Sequence, residues 1–475
     1  MSETLTEYYV GPVKIKIIKD ESGICKYIVE EPSLTKYEEN IKNNILSDLL
    51  YINTKNLEDE VINRLKEKGF KDESIEKILY HIKKSMLYDI ITPLMLDQQI
   101  EEIECKGYGY PITVVHRDFS ECIRLYTNII PQNDEEVVKV IEKLANKANK
   151  SINIAKPYVE FSLPDGDRVA ATLNNEISLP GSTFDIRKFP SKPLSIINMV
   201  DNGMLNEIIA SYLWFLIEYK PFIMILGPTG SGKTTLLTAL LNLINPNYKI
   251  LTIEDTPEIN IVSDNWVRFI SRSTLASDYD VTLNDLAKLA LRYRPDYLVV
   301  GEVRGKEIEA LIHASASGHG SLTTFHGSRP IDAVTRITDL LSTDLSKLFL
   351  QTIWSFVVVS RRKEGRKSVR SIISIYETNI DKGKIKFKKI IEWSFNKGQF
   401  IPNDVNSLIK KSYRLKWIGK TYGLSQDEIK EELSNRIEFL KKLRNDRVVD
   451  FYEVSNKIRK YYDEVIRNAK SLILS

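Results

Sequence analysis

The spacing of apolar positions changes several times along the chain and divides it into blocks. Near the start, Val13, Ile15 and Ile17 alternate with Lys14 and Lys16, which predicts a short strand. From about residue 35 to 95 the apolar positions recur at helical spacing, with breaks near Thr54 and Gly69. Residues 101–189 are mixed: 111–115 and 169–173 read as strands and 134–150 as an amphipathic helix. The Pro- and Ser-containing stretch 189–195 predicts a linker. After it strand, loop and helix follow one another. Residues 222–226 form a continuous apolar run, as expected of a strand buried on both faces, and 235–244 form a strongly apolar helix. Further buried strands are expected at 250–253, 298–300 and 322–325. This alternation predicts an α/β fold with a parallel sheet covered by helices on both faces. Residues 354–359, 369–375 and 385–393 read as antiparallel additions, and the residues after 402 as helical. There Ser425 with Glu428 makes a capping box, and Ile429, Leu433, Ile437 and Leu440 share one apolar face.

A chain of 475 residues exceeds one ordinary core, so two or three domains are expected. The blocks above suggest a mostly helical region over 1–100, an α+β domain over 101–195, a parallel-sheet domain over 196–400 and a helical extension over 401–475. With 43% hydrophobic and 28% charged residues the composition is that of a soluble globular protein. Lys and Arg total 67 against 64 Asp and Glu, and a net charge of +3 does not indicate a strongly basic nucleic-acid binder. Cys25, Cys105 and Cys122 are far apart and form no CxxC pair, which argues against a zinc ribbon and a disulfide scaffold and for a reducing compartment. The N-terminus does not read as a signal peptide, and the most apolar stretches, 208–217 and 348–360, are too short to span a bilayer. Any membrane association is therefore expected to run through a partner or a surface.

The chemistry concentrates between residues 227 and 326. Gly227, Pro228, Thr229, Gly230, Ser231, Gly232, Lys233 and Thr234 match GxxxxGK[ST] in full, after a strand and before a helix that takes in Thr235. The glycines allow a tight fold in which backbone N–H groups face phosphate oxygens, and the helix N-terminus favours an anion. Lys233 adds charge toward the β- and γ-phosphates, and the Thr234 hydroxyl completes the shell of a Mg²⁺ ion. Hydrolysis also needs carboxylates. Glu254, Asp255 and Glu258 close the strand after the phosphate loop, and Glu302 closes the next buried one between Gly301 and Arg304. Ligands sit at the carboxyl ends of strands in open α/β sheets, so Glu254, Asp255 and Glu302 are expected to face the phosphates. Three of the five histidines lie in 313–326, but without a cysteine partner or a zinc spacing. His326, at the exit of a strand, is suited to sense a γ-phosphate.

Taken in order, the phosphate loop, the acidic box at 254–258, Val-Gly-Glu-Val-Arg at 300–304 and Gly-His-Gly-Ser-Leu-Thr-Thr-Phe-His at 318–326 resemble the secretion-type traffic ATPases. That family powers type II secretion, type IV pilus assembly, type IV secretion and the archaellum. Leu163-Pro164-Asp165-Gly166-Asp167-Arg168-Val169-Ala170 and the run from Gly181 to Phe189 look like the end of its N-terminal domain. The likeness spans roughly residues 101–370. It implies a RecA-like motor domain preceded by a mixed α+β domain that covers the nucleotide, and a homo-hexameric ring. By the resemblance Glu254 activates water, and Glu302 is the Walker B acid, holding Mg²⁺ directly or through a water. His326 monitors the γ-phosphate, and Arg168 and Arg187 match arginines aimed at the nucleotide. The tetracysteine insertion of bacterial pilus and type II motors is absent, and residues 291–296 with Asn265 and Trp266 look most like the archaeal branch. The implied activity is ATP hydrolysis in the cytoplasm. It would drive pilin-like subunits through a polytopic membrane platform protein, with no nucleic-acid partner.

Two rivals share these motifs. A nucleic-acid translocase could use the basic stretch Arg361, Arg362, Lys363, Arg366, Lys367 and Arg370, which reads more simply as a solvated hairpin because no aromatic residues interleave with it. A non-hydrolysing scaffold would have less use for an intact Lys233, Glu254 and Glu302.

Overall fold

The computed structural model describes residues 3–49, 57–189, 193–272, 280–364, 367–381 and 384–474. The break expected near Thr54, residues 190–192 of the linker and Arg366 lie outside them. The chain forms two compact units, Met1–Ser191 and Lys192–Ser475.

The first unit is built on a nine-stranded sheet. Its first strands are β1 (Glu3–Val10), β2 (Val13–Lys19) and β3 (Cys25–Glu30). Next come β4 (Ile100–Cys105), β5 (Thr113–His116) and β6 (Leu125–Thr127), then β7 (Tyr158–Ser162), β8 (Arg168–Thr172) and β9 (Thr183–Arg187). The order is β1-β2-β3-β6-β5-β4-β9-β8-β7. The alternation at Val13, Ile15 and Ile17 does mark a strand, with those three side chains fully buried, but it is the middle of a three-stranded meander. The same face packs on Val137, Val140, Ile141 and Leu144 of the helix Asp134–Lys147. Helices Lys36–Leu49, Leu57–Glu67 and Asp72–Met86 close around a small core of their own that includes Ile45, Leu65 and Ile78. Cys25 and Cys122 are disulfide-bonded, and only Cys105 is free. Their spacing argued against a disulfide scaffold, and the structure corrects this to the extent of one bond. The two lie 97 residues apart in sequence, but β3 pairs with β6 (Lys26 with Tyr126), which brings Cys122 beside the start of β3.

In the second unit the strands are β10 (Phe222–Gly227), β11 (Ile250–Glu254), β12 (Trp266–Ile270), β13 (Tyr297–Val303) and β14 (Gly320–His326). They are followed by β15 (Ile353–Glu364), β16 (Lys367–Asp381), β17 (Lys384–Ser394) and β18 (Gln399–Ile401). The order is β12-β11-β13-β14-β10-β15-β16-β17-β18. Strands β10 to β15 pair in parallel, and β16 to β18 extend the sheet antiparallel. The continuous apolar runs are explained by burial on both faces. Ile223 and Ile225 of β10 enter one core, with the helices Glu207–Glu218 and Lys233–Leu241, while Phe222, Met224 and Leu226 enter the opposite one, with Ile308–Ala316. This is the RecA-like α/β arrangement, with a mixed α+β unit before it and helices after it.

Those last helices, Val405–Lys411, Tyr413–Tyr422, Gln426–Asn445 and Phe451–Leu474, pack on the first core of the second unit's sheet. The Ser425–Glu428 capping box is formed, and Ile429, Leu433, Ile437 and Leu440 are buried. Arg436, 2% exposed, bridges Glu218 at 2.6 Å and Glu432 at 2.5 Å and lies over the Trp214 ring. Tyr462 accepts from Trp214 Nε1 at 2.7 Å and donates to the Leu243 carbonyl at 2.9 Å. Among the described residues no helix is long and apolar enough to cross a membrane.

Candidate functional site

The strand order decides which residues meet. Along β11-β13-β14-β10 the carboxyl ends carry, in turn, Glu254, Glu302, His326 and Gly227. The registers bring them level: Ile253 pairs with Val300, Glu302 with Thr324, and His326 with Gly227. One edge of the sheet therefore gathers the phosphate loop, both acidic strand ends and the histidine.

The loop has the form that a phosphate cradle needs. Gly230 and Gly232 have φ of +70° and +92°, values that favour glycine, and Gly232 caps the helix Lys233–Leu241. A side chain at Gly227 would meet Ser231 Oγ and the Val359 carbonyl, each at 2.5 Å. Lys233 is 8% exposed and donates to the Pro228 carbonyl at 3.1 Å, so its ammonium is folded back over the loop. Ser231 is 1% exposed, and its hydroxyl has no hydrogen-bond partner. A buried orphan donor inside a glycine loop fits a ligand rich in acceptor oxygens. Thr234 and Thr235 follow in the first turn of the helix, half-buried. Thr234 offers a hydroxyl and Glu302 a carboxylate, oxygen ligands of the kind Mg²⁺ takes.

The acids differ in surroundings. Glu254 is 3% exposed. Its Oε1 accepts from the N–H groups of Glu258 and Ile259, both at 2.8 Å, and its Oε2 from Arg268 Nε at 3.2 Å. Burial pushes its carboxyl above the usual range, against the opposing pull of Arg268 and the two N–H groups. Gly301 makes the space: a Cβ there would lie 3.2 Å from Glu254 Cγ. Glu302 is half-buried and held by Arg304 through Oε2 at 2.6 and 2.9 Å. Asp255 accepts from the Ser271 hydroxyl at 2.7 Å and lies 3.6 Å from Arg304. His326 is exposed at the end of β14, whereas His319 Nδ1 sits 3.0 Å from the Ala314 carbonyl and trims a helix end. No cluster of metal-ligating side chains is present among the described residues.

In the first unit Arg168 and Arg187 are direct cross-strand partners on β8 and β9, on the face opposite Val169 and Ile186.

Sequence reasoning missed Arg268 and misjudged the basic stretch. Arg268 stands on β12 opposite Thr252 of β11, a cross-strand neighbour that no periodicity reveals. The basic stretch is not simply a solvated hairpin. Arg362 is 4% exposed and lies 3.6 Å over the Trp393 ring, while Arg361 and Arg370 turn onto the phosphate loop. The aromatic partner comes from another strand, which is why no local signal announced it.

Residues 117–362 match the family model described as type II/IV secretion system protein. An uncharacterised protein of Methanocaldococcus jannaschii, MJ0900, is 30% identical over 96% of this chain and 89% of its own length. The conjugal transfer protein TrbB of Rhizobium radiobacter is 31% identical over 50% of this chain and 73% of its own. Among solved structures, the pilus retraction motor PilT with bound ADP is 18% identical, over 71% of this chain and 90% of that one, with a TM-score of 0.43.

Proposed function

The chain belongs to the type II/IV secretion system protein family, and on that premise we propose that it hydrolyses ATP, with Mg²⁺, to drive pilin-like subunits through a polytopic membrane platform protein. In this reading it works as a homo-hexamer of the archaeal pilus or archaellum type, in the cytoplasm, reaching the membrane through partners. The observation that carries the reading is that the phosphate loop, Glu254, Glu302 and His326 end four adjacent parallel strands.

Residues 227–235 bind the nucleotide, with the loop N–H groups donating to phosphate oxygens and Lys233 facing the β- and γ-phosphates. Thr234 and Glu302 hold the Mg²⁺, Glu302 directly or through a water. When bound, the ion withdraws charge from the phosphate oxygens. Glu254 orients the attacking water and takes its proton. The water oxygen bonds to the γ-phosphorus, the β–γ bridging P–O bond breaks, and ADP and phosphate leave. Both Glu254 oxygens already accept hydrogen bonds, but Oε2 has one partner and a second lone pair for water. His326, level with Gly227, senses the γ-phosphate. Arg168 and Arg187 stabilise charge on the transferred group, so R168Q and R187Q are expected to lower kcat more than nucleotide affinity.

A nucleic-acid translocase finds less support, because Arg361, Arg362 and Arg370 are engaged by Gly230, Gly203 and Trp393. The test is ATP turnover by purified wild type and K233A, sized by light scattering, with and without phospholipid and DNA. A hexamer that is active, lipid-stimulated and DNA-indifferent, with K233A inactive, is the expected result. Wild-type turnover by K233A would sink the site. DNA stimulation would favour the translocase, and a monomer without turnover the nucleotide-binding scaffold.

A further inference from the structure

We propose that the outer face of the helix Tyr413–Tyr422 is a docking surface for an anionic phospholipid membrane. It adds a direct contact to the partner-mediated one in the functional reading, and it does not depend on the ATP site.

The sequence makes the face. Residues 405–422 hold Lys410, Lys411, Arg414, Lys416 and Lys420 and no Asp or Glu. On the helix Tyr413–Tyr422, Leu415, Ile418 and Gly419 are buried. Tyr413, Lys416, Trp417 and Lys420 follow at i, i+3, i+4 and i+7, so they share the opposite side, and all four are exposed. Tyr422, at the end of the same helix, is exposed as well, with its ring 6.3 Å from that of Trp417. Of the five tryptophans only Trp417 is exposed, at 42%.

The packing holds that face outward. Fully buried Glu377 accepts from the backbone N–H groups of Tyr413 and Arg414, at 2.5 and 3.0 Å, and from the Tyr212 hydroxyl at 2.6 Å, which fixes the start of the helix. Trp417 meets Trp354 edge-on, with ring centroids 5.0 Å apart.

Neighbouring lysines widen the basic area. Lys416 Nζ donates to the Lys410 carbonyl at 2.7 Å, and Lys388 Nζ lies 4.0 Å from the centre of the Tyr413 ring. Burial, with Lys388 and Lys389 nearby, holds the Lys411 ammonium below the usual lysine range, against the pull of Glu392. Glu392 is itself paired with Lys389 at 2.9 Å. Of the acids that flank the stretch, Asp404 accepts from the Ser407 N–H at 2.8 Å and Glu428 from the Ser425 N–H at 2.7 Å, as helix caps, and Asp427 opens the next helix. Lys416 and Lys420 form no ion pair among the described residues.

Composition decides the occupant. Protein–protein contacts centre on Trp, Tyr and Arg and are depleted in Lys, and the fork of arginine grips nucleic-acid phosphates best. On this face the outward cations are lysines. The one arginine of the helix, Arg414, turns inward and donates to the Ile353 and Thr378 carbonyls, both at 3.1 Å. Exposed Trp and Tyr among lysines suit a membrane–water interface, where aromatic rings lie at headgroup level and long lysine stems carry their ammonium groups to lipid phosphates.

The experiment is flotation of the full chain, without nucleotide, with vesicles of phosphatidylcholine alone or mixed with phosphatidylglycerol. Wild type is expected to bind only the mixed vesicles, and less at high salt. K416Q/K420Q should bind on the order of tenfold more weakly. K66Q/K68Q, which removes equal charge from exposed positions of the first unit, should bind as wild type does. Spin-labelled phospholipid in the mixed vesicles should quench tryptophan fluorescence in wild type and not in W417F. Equal binding by the two double-lysine variants, equal binding to both kinds of vesicle, or quenching that survives in W417F would overturn the proposal. So would an absence of vesicle binding; single-stranded DNA binding that K416Q/K420Q abolishes would then make the face a nucleic-acid surface. Lys416 and Lys420 are exposed, so that pair decides the matter if W417F disturbs the packing on Trp354. None of these outcomes bears on the ATP reading, which turnover by K233A tests separately.

Discussion

Glu254 is the residue on which the proposed chemistry turns, and its surroundings make it testable. Burial disfavours the ionised carboxylate, while Arg268 and two backbone N–H groups favour it. A general base works only when ionised, so turnover should fall as pH drops through a value above that of an ordinary Glu. Removing the arginine removes an effect that lowers the pKa. R268Q is therefore expected to move the acid limb of kcat to higher pH, and an unmoved limb would show that Arg268 does not tune Glu254. E254Q should lower kcat by about 10²–10⁴-fold while nucleotide affinity changes little, as a turnover and binding comparison would show. The acid was legible in the sequence because it closes a strand beside a complete phosphate loop. Arg268 was not, because it acts across the sheet from 14 residues away.

At the scale of elements, two glycines set how closely strands and loops approach. Gly227 ends β10 against the Val359 carbonyl of β15, with no room for a methyl group. G227A should shift the loop and weaken nucleotide binding while the far-ultraviolet circular dichroism stays native. Gly320 opens β14, and a Cβ there would lie 2.2 Å from the fully buried ring of Tyr297 on β13. G320A is accordingly expected to destabilise the second unit by about 1–3 kcal/mol, measured by denaturant unfolding, even though Gly320 belongs to the 318–326 motif that ends in His326. The apolar runs announced β10, β11, β13 and β14 because burial on both faces leaves no polar alternate positions. β12 was missed because its residues, Trp266 to Ile270, are only partly buried and carry Arg268. β1 was missed for a related reason, since none of its eight residues is fully buried, and β3 is a six-residue strand whose alternate positions are polar or only partly buried.

Across the whole molecule, the devices that hold distant segments together lie outside the site. Arg436 joins the C-terminal helices to the helix Glu207–Glu218 through Glu218 and Trp214, so R436A leaves Glu218 without its cation. A loss of about 3–5 kcal/mol is expected, followed by Trp fluorescence during unfolding, with R436M losing less. The Cys25–Cys122 bond closes a long loop within the first unit, and C25S should lower that unit's stability by about 2–5 kcal/mol. Thiol titration of the denatured, unreduced protein should find one free thiol, that of Cys105; three would refute the bond. By itself the sequence determined the features that are contiguous or periodic: the phosphate loop, the acidic strand ends, the doubly buried strands and the capped C-terminal helix. Local backbone geometry and burial leave their mark directly on neighbouring residues. Only the tertiary structure decided the order β11-β13-β14-β10 that brings Glu254, Glu302, His326 and the loop to one edge. It alone paired Cys25 with Cys122, set Arg268 on Glu254 and turned Arg361 and Arg370 onto Gly230. Those contacts join residues far apart in sequence, and strand pairing across a sheet leaves no spacing in the chain from which they could be read.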